Sequence, residues 1–399
     1  MNNLRLNAAL RLRVSLLMLV AFFVIGAGCS RRSGQKQGVR PRTLRDVPAQ
    51  RLAYQFTADT DPPPQAATAD EANALWPAIQ NDFDVNRKDD ALLRTQLSPD
   101  RQRALAIYAT GEDEPNEFRI DLYGADGRLL RKLTPAGLAV IFAPVAAWSP
   151  DGNYIAFIGY KSSKPEPAPT PFDDLAPEGM PGIPSASPST PNTMPLVPIF
   201  STEQIYLCNR DGYDLKPLTT REGLIYFYLA WAPDSHALAA LACPENEWRE
   251  RPLLPAGRPR LLGLDGSERL LDDALTDVLP VWSPDASKVA TAFETDVRIY
   301  DALGESPTQA AIPLGDALLA ASRAYDEKEA QKLKKPASSS AAPTDKPPVS
   351  FNPIVNLVWP QPESLYAQTG FVRNFENEQV RNFMRWHLLR LSAQAALLN

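Results

Sequence analysis

Short apolar segments alternate with turn-forming residues along most of this sequence, and one arrangement of the two recurs. An apolar segment ends at Trp, Ser-Pro-Asp-Gly or a close variant follows, and a second apolar segment begins, as in AWSPDGNYIAF at 147–157. Proline fixes φ, aspartate binds nearby backbone amides and glycine tolerates positive φ, so the polar part predicts a tight turn between two strands. Other copies, the last two of them weaker, begin at Ala230, Val281, Leu97 and Val358.

Three copies replace the glycine of this turn, by Arg101, Ser235 or Ala286. These residues tolerate positive φ less well than glycine does, so we expect their turns to be less regular than the turn at 150–152. The tryptophan of each copy lies at a strand end, where a large ring can fill the space between neighbouring units. We therefore interpret the whole motif as structural.

A second element follows the first in each unit. It consists of two strand-like segments around a turn, in most copies an Asp-Gly pair, and it occurs at 119–134, 204–219, 258–271 and, more loosely, 296–307. Asp-Gly between apolar segments is a strong hairpin signal, because a type I′ turn needs φ > 0 at both central residues. Each unit thus contains four strands. A period of 51 residues separates Pro99 from Pro150, and also Pro233 from Pro284.

Two longer intervals between units contain insertions. Residues 161–198 are rich in Pro, Ser and Thr, and residues 303–350 contain a helix-like stretch followed by PASSSAAPTDKPPVS. Such low-complexity sequence buries little apolar surface. We predict disordered insertions at about 161–198 and 303–350, with a short helical insertion in the second.

Four-stranded units repeated at this spacing are typical of propeller blades, so the sequence predicts an all-β fold, a β-propeller. Residues 51–96 form an irregular N-terminal segment or an atypical first blade, which would give six blades with the propeller at 97–399. The alternative is five blades, with 51–58 paired to the final unit and closing the ring. The series WSPDG…IAF and IYLCNRDG…LKPLT resembles the TolB-like, WD-repeat-related propeller family over about 97–395. That resemblance implies six blades.

The first residues are typical of a secretory signal peptide at 1–28. A basic start with three arginines precedes the apolar run 14–25 and the small residues Gly26, Ala27 and Gly28. The ending before Cys29 resembles the lipobox of bacterial lipoproteins, although Gly26 stands where that family usually has Leu. The resemblance implies lipidation of Cys29. The alternatives are an uncleaved anchor or an ordinary signal peptide.

Charge divides the rest of the chain into two parts. Residues 29–50 carry a net +5 and residues 51–399 a net −14. With the three arginines of residues 1–28 the total is −6. The basic part reads either as a membrane-side tether beside anionic headgroups or as a plain linker. The acidic body disfavours nucleic acid as a partner. Ser30 lacks the aspartate that favours inner-membrane retention in lipoproteins, which indicates the outer membrane, facing the periplasm, if the cell has one.

Few residues indicate chemistry, and we predict no catalytic, cofactor-binding or metal-binding residues and no cofactor. His236 and His387 lie in different units and are interpreted as structural or surface residues. Cys208 and Cys243 are either buried thiols or a disulfide. The acidic groups are interpreted as solvated charge; they are Glu112–Glu114, Asp173–Asp174 and Asp272–Asp273. No nucleophile elbow, P-loop or dinucleotide fingerprint occurs.

These features predict a membrane-anchored lipoprotein of the cell envelope that is not an enzyme. Its propeller would act as a binding scaffold for an envelope protein, a peptide or a glycan, because loops on a rigid frame carry recognition. The alternative is a glycan hydrolase or lyase that uses carboxylates converging on one face. Fold alone does not decide between them.

Overall fold

The computed structural model describes residues 43–63, 75–111, 117–135, 137–141, 146–161, 203–250, 255–333, 353–372 and 382–393. The signal peptide, Cys29, most of the tether and residues 162–202 therefore lie outside the described residues. Within them the regular structure is mostly antiparallel β-sheet.

The first two sheets contain the strands numbered β2 to β10 in chain order. The first sheet consists of β2 (Ala91–Leu97), β3 (Arg103–Ala109), β4 (Arg119–Gly124) and β5 (Leu129–Lys132). The second has two short strands that both pair with its long central strand, and consists of β6 (Leu138–Ala139), β7 (Ala147–Trp148), β8 (Tyr154–Lys161), β9 (Gln204–Asn209) and β10 (Lys216–Pro217).

The third and fourth sheets repeat the same order of strands. The third consists of β11 (Leu224–Trp231), β12 (Ala237–Pro244), β13 (Arg258–Gly263) and β14 (Glu268–Leu270). The fourth consists of β15 (Val281–Trp282), β16 (Lys288–Phe293), β17 (Asp296–Asp301) and β18 (Gln309–Pro313). In these four sheets, strands that follow one another in the chain pair antiparallel, as the hairpin pattern predicts, except β6 and β7, which both pair with β8.

The fifth sheet joins the two ends of the described chain. Three of its strands come from the last unit: β19 (Ile354–Gln361), β20 (Ser364–Val372) and β21 (Asn382–Ala393). The fourth is β1 (Leu52–Thr60), which pairs with β21. This is the pairing that the five-bladed alternative requires. The described residues contain five sheets, and the number of blades in the ring stays a prediction.

Helices are few and lie between strands. They are α1 (Pro77–Asn86), α2 (Glu245–Glu250) and α3 (Gly315–Leu333), with short 3-10 turns at Leu44–Asp46 and Ala49–Arg51. The helix α3 is the predicted helical insertion. The preceding residues of the same predicted insertion form β18, an edge strand, because residues 309–313 pair with β17. None of the described helices is long and apolar enough to cross a membrane.

The core lies between successive sheets. Separate apolar clusters join the first sheet to the second, the second to the third, the third to the fourth and the fourth to the fifth. The other side of the first sheet is covered by α1, whose Ile79 and Phe83 pack on Tyr108 and Tyr123. The repeat of four-stranded sheets packed face to face confirms the predicted all-β propeller fold.

Three tryptophans link each sheet to the one before it. The indole N–H groups of Trp148, Trp231 and Trp282 donate to backbone oxygens of Gln96, Ala147 and Ala230, at 3.2, 3.2 and 3.0 Å. Each acceptor lies on the first strand of the preceding sheet. The indole of Trp359 instead donates to Pro362 in its own turn, at 3.3 Å. The predicted place of the ring between neighbouring units is correct for the first three.

The turns of the motif are equally regular with and without glycine. Gly152, Arg101, Ser235 and Ala286 all adopt positive φ, between 57° and 71°. In each turn the preceding aspartate accepts the backbone N–H two residues further on, at 3.0 to 3.1 Å. The prediction of less regular turns is therefore wrong, because this hydrogen bond holds the turn whatever side chain follows.

The turns define the two ends of the sheets. We name the end with the first-to-second and third-to-fourth strand connections the turn face, and the opposite end the loop face. In an antiparallel sheet, the second-to-third connections and the links between sheets must lie on the loop face. All three helices and both predicted insertions come after strands that end at the loop face. The exception is the first part of the second insertion, which forms the edge strand β18 and the hairpin before it.

The residues before β1 are fixed to the turn face of the fourth sheet. Ala49 donates its backbone N–H to Asp301 at 3.0 Å, and Asp301 also accepts from the N–H and hydroxyl of Thr308. The ammonium of Lys288 lies 3.4 Å from the same carboxylate, and both side chains are buried. The end of the predicted tether is therefore packed structure from Thr43 onward.

Replacing Trp282 with Phe should remove the indole hydrogen bond between the third and fourth sheets while keeping most of the aromatic side chain in place. We expect a loss of about 1–2 kcal/mol in the free energy of unfolding, because the Ala230 oxygen loses its donor. Trp386→Phe is the control, since that indole is similarly buried and makes no hydrogen bond in the described part of the chain. Equal losses in denaturant titrations of the two variants would contradict the link.

Replacing Asp301 with Ala should destabilise the chain by about 3 kcal/mol, because the buried Lys288 ammonium loses its counter-charge. The added change Lys288→Met should recover part of that loss in the same denaturant titration. Asp296→Ala, at the other end of β17, should have little effect. A double variant no more stable than Asp301→Ala alone would argue against the ion pair.

Candidate functional site

The loop face gathers polar residues at the ends of central strands. Tyr160 lies near the end of β8, Glu203 lies directly before β9, and Glu117 lies two residues before β4. Because these positions belong to the second-to-third connections of the first and second sheets, they share one face, the loop face.

Glu117, Arg119 and Tyr160 form one polar group across two sheets, joined by a hydrogen bond and an ion pair. The Tyr160 hydroxyl donates to Oε1 of Glu117, and Oε2 of Glu117 lies 3.8 Å from the Arg119 guanidinium. Arg119 is held in turn by the backbone oxygens of Leu138 and Pro135. Glu117 and Arg119 are each only 7% exposed. Burial first, and then the hydrogen bond to Glu117, raises the pKa of Tyr160 above its ordinary value.

Glu203 is the carboxyl group that lacks a counter-charge. Burial raises its pKa from 4.5 to about 8, and its Oε2 is buried without a hydrogen-bond partner among the described residues. Its charge is a minor cause of the raised pKa values of Tyr160 and Cys243. Burial, Glu117 and Arg119 have larger effects on Tyr160, and burial, Glu247 and Arg258 have larger effects on Cys243. Its backbone oxygen accepts the N–H of Tyr226 in β11 at 3.3 Å, so it lies where the second sheet meets the third.

The group can both donate and accept hydrogen bonds at neutral pH. A carboxyl with a pKa near 8 is mostly protonated there, so Glu203 presents a neutral O–H donor. Glu117 accepts the hydrogen bond of the Tyr160 hydroxyl beside the Arg119 guanidinium. Two carboxyl groups and a tyrosine on one face are suited to binding a ligand rich in hydroxyl or amide groups. A carboxyl that keeps its proton at neutral pH also serves as the proton donor in acid–base catalysis.

Two other polar clusters serve the fold. Arg87 lies 2.9 Å from Asp121 and stacks on Phe83 and Tyr108, which fixes the end of α1 to the first sheet. In the fourth sheet, Asp272 accepts hydrogen bonds from Arg298 and Tyr300, each at 2.6 Å. Burial opposes ionisation of Asp272, yet these bonds hold its pKa below the ordinary value. Both clusters hold parts of the fold together, although Oδ1 of Asp121 is buried without a hydrogen-bond partner among the described residues.

The two histidines lie in different sheets, as predicted. The side chain of His236 is 85% exposed in a turn of the third sheet. His387 is buried, with Nδ1 accepting the Asp59 N–H at 3.3 Å and Nε2 lying 3.0 Å from the Thr369 hydroxyl. Burial and then the nearby Arg385 cation lower its pKa to about 4. Both positions are accounted for by structure and surface.

The cysteines and the acidic groups are the other residues for which the sequence makes a prediction. Cys208 and Cys243 are free, buried thiols, and burial raises their pKa values to about 12 and about 11. Of the acidic groups, Asp272 is in the ion pair above, and Glu112–Glu114 and Asp173–Asp174 lie outside the described residues. No group of three metal-ligating side chains occurs in the ranges the structure describes.

Sequence analysis did not single out Glu117, Arg119, Tyr160 or Glu203. A signal for two of them exists. Glutamate stands one or two residues before the third strand of two successive units, in NEFRIDLYGADG and TEQIYLCNRDG. Placing these glutamates on one face requires the strand order, which the hairpin pattern does supply. The contact between Tyr160 and Glu117 crosses from one sheet to another and has no sequence signature.

Comparison with known proteins gives fold likeness only. No protein-family model matches the chain, and no curated protein matches it. The chain is similar in structure to two peptidases, of each of which it covers less than half, and to one lyase. They are prolyl oligopeptidase B from Galerina marginata (TM-score 0.41, 10% identity, 86% of this chain and 44% of that chain), dipeptidyl peptidase 4 from Porphyromonas gingivalis (0.34, 11%, 73% and 46%) and an oligogalacturonate lyase (0.29, 12%, 75% and 76%).

The prediction that this chain is not an enzyme is contradicted by these neighbours, most of which are enzymes. Its basis was the lack of a recognisable catalytic motif, and propellers of this kind do occur in peptidases and a lyase. The matches are 10% to 12% identical to this chain. The chemistry of the chain therefore has to be argued from its own side chains.

Glu203 should make the stability of the chain fall with rising pH. Its carboxyl keeps a proton up to about pH 8 when folded but ionises near pH 4.5, its ordinary value, when unfolded. The loss therefore accumulates between those values and stops above them. Glu203→Gln should remove this dependence, and the exposed Glu222→Gln should not. Denaturant titrations from pH 5 to 9 measure it; a difference between wild type and Glu203→Gln that is independent of pH would contradict the raised pKa.

Proposed function

We propose that this chain is an exported, lipid-anchored propeller of the TolB-like type that binds a ligand of the cell envelope on its loop face. The signal sequence 1–28 and Cys29 support export and anchoring, with residues 29–50 as a basic tether. The ligand is an envelope protein, a peptide or a glycan, and nucleic acid is disfavoured by the acidic body. The anchored chain faces the periplasm from the outer membrane, if the cell has one.

The observation that carries the binding proposal is the group of Glu117, Arg119, Tyr160 and Glu203. A buried carboxyl without a partner destabilises the fold unless something occupies its hydrogen-bonding capacity. It stands on the face that carries the long connections, where recognition residues commonly lie. The turn face, by contrast, consists of tight turns whose polar groups bind one another. A ligand therefore finds unsatisfied hydrogen-bonding groups at the loop face.

The same group supports a second candidate function, hydrolysis or lysis of a glycan. Such reactions use two carboxyl groups, one protonated and one ionised. Glu203 is suited to the role of proton donor, because its pKa lies near 8. Glu117, which accepts the Tyr160 hydroxyl and lies beside Arg119, is the second carboxyl of the group. Both candidates use the loop face and differ in whether the bound ligand is turned over.

Lipidation is tested by feeding cells an alkyne analogue of palmitate. We expect incorporation into the wild-type chain and none into Cys29→Ala, because the thioether forms on that sulfur. Cys208→Ala serves as the control and should label like wild type, since its thiol is buried in the second sheet. Absence of label from wild type, or equal label in Cys29→Ala, would refute the anchor.

Ligand binding is tested by crosslinking in envelopes and by incubating the pure protein with envelope glycans and peptides. Glu203→Ala should weaken capture or turnover at least about tenfold, the effect of losing one hydrogen bond to a charged or buried group. Glu305→Ala, exposed on the turn face, is the matched control. Equal behaviour of the two variants would exclude the loop-face group as the site. Turnover that is lost in Glu117→Gln as well as in Glu203→Gln, with binding retained, would favour the enzyme.

A further inference from the structure

The chain enters the propeller at the turn face. Arg45 donates its guanidinium N–H to the backbone oxygen of Asp285, at 3.2 Å, and Asp285 belongs to the turn between β15 and β16. The Lys288 ammonium, at the start of β16, reaches the backbone oxygen of Arg45 at 3.5 Å. Residues 43–51 therefore lie under the turn-face end of the fourth sheet.

This entry point is fixed by burial. Val47 and Ala49 are 4% and 0% exposed, and Ala49 belongs to the apolar cluster between the fourth and fifth sheets. Gln50 adds a hydrogen bond from its backbone N–H to the Thr308 hydroxyl, at 3.2 Å. From there β1 starts at Leu52 opposite Ala393, the turn-face end of β21, and runs toward the loop face. The entering segment cannot move to the loop face without losing these contacts.

The candidate site lies at the other end of the sheets. Glu117 and Glu203 precede the third strands of the first two sheets, and Tyr160 ends a second strand, all on the loop face. A sheet of six-residue strands is about 20 Å high along its strands. The entry point and the site are therefore separated by the height of the propeller.

We propose that the turn face is directed toward the membrane and that the loop face, with the Glu117–Tyr160–Glu203 group, is directed away from it. This orientation rests on the lipid anchor of the proposed function. Residues 29–42 span at most about 50 Å when fully extended. If the loop face pointed at the membrane, that length would have to pass round the propeller first.

Charge on the turn face keeps it at a distance from anionic lipid. An aspartate occupies the same place in the four turns of the motif, at Asp100, Asp151, Asp234 and Asp285. Hydrogen bonds from the serines and backbone amides of these turns hold the pKa values of three of them below the ordinary value, against burial in Asp151 and Asp285. These carboxylates repel headgroups that the basic tether attracts. The tether thus contacts the membrane, and the turn face stays at a distance from the membrane surface.

The orientation is tested by energy transfer on liposomes that carry the lipidated full-length protein and an acceptor lipid. Tyr213→Cys on the turn face and Glu222→Cys on the loop face flank β10 and so lie at one edge of the second sheet. A maleimide donor labels them selectively, because Cys208 and Cys243 are buried. We expect transfer about twofold higher from position 213, given faces about 20 Å apart.

A shortened tether, lacking residues 33–38, should widen the difference, and added anionic lipid should lower transfer from position 213. Equal transfer from the two positions at both tether lengths, or higher transfer from position 222, would overturn the orientation. Cys29→Ala supplies the unanchored baseline. If the wild-type chain fails to float with the liposomes, the lipid anchor itself is refuted and the orientation falls with it, whereas floating with equal transfer refutes the orientation alone.

Discussion

The indole N–H of one sheet bound to the first strand of the preceding sheet is the interaction on which the rest of this structure depends. A four-stranded sheet with two apolar sides has to be covered on both, and its neighbours in the ring do this. Apolar packing alone allows sheets to slide. The bonds of Trp148, Trp231 and Trp282 fix the register between sheets, so that loops from different units meet at defined places. The contact between Tyr160 and Glu117 needs such a fixed register.

The turn aspartate carries more of the motif than the glycine after it. Its carboxylate accepts the same backbone N–H in four turns, and Arg101, Ser235 and Ala286 adopt the positive φ that glycine would otherwise supply. Single-residue preference argues for irregular turns at these places. A local hydrogen bond, repeated at each turn, outweighs that preference. This is why the repeat was legible from sequence although its most conformationally special residue was often replaced.

The sequence was sufficient for the sheets and insufficient for the site, for one physical reason. Most strands and hairpins follow from local periodicity and turn chemistry, although β18 lies in a segment predicted to be an insertion. The partner of β1 is nearly the whole chain away, and only one of two open alternatives contained it. The raised pKa of Glu203 depends on burial, which side chains from other sheets create. A buried carboxyl of this kind is a property of assembled units and has no signature within any one of them.

The two faces divide the work of the fold, and the division follows from antiparallel topology. In the tight turns the polar groups form hydrogen bonds with one another, as the serine, aspartate and backbone amides of Ser149–Asn153 do. The opposite end receives every long connection and keeps Glu203 without a partner among the described residues. Asp301 and Lys288 fix the entering chain to the first of these ends. In the proposed function the anchor enters at one face and the ligand binds at the other, so that the two do not compete for space.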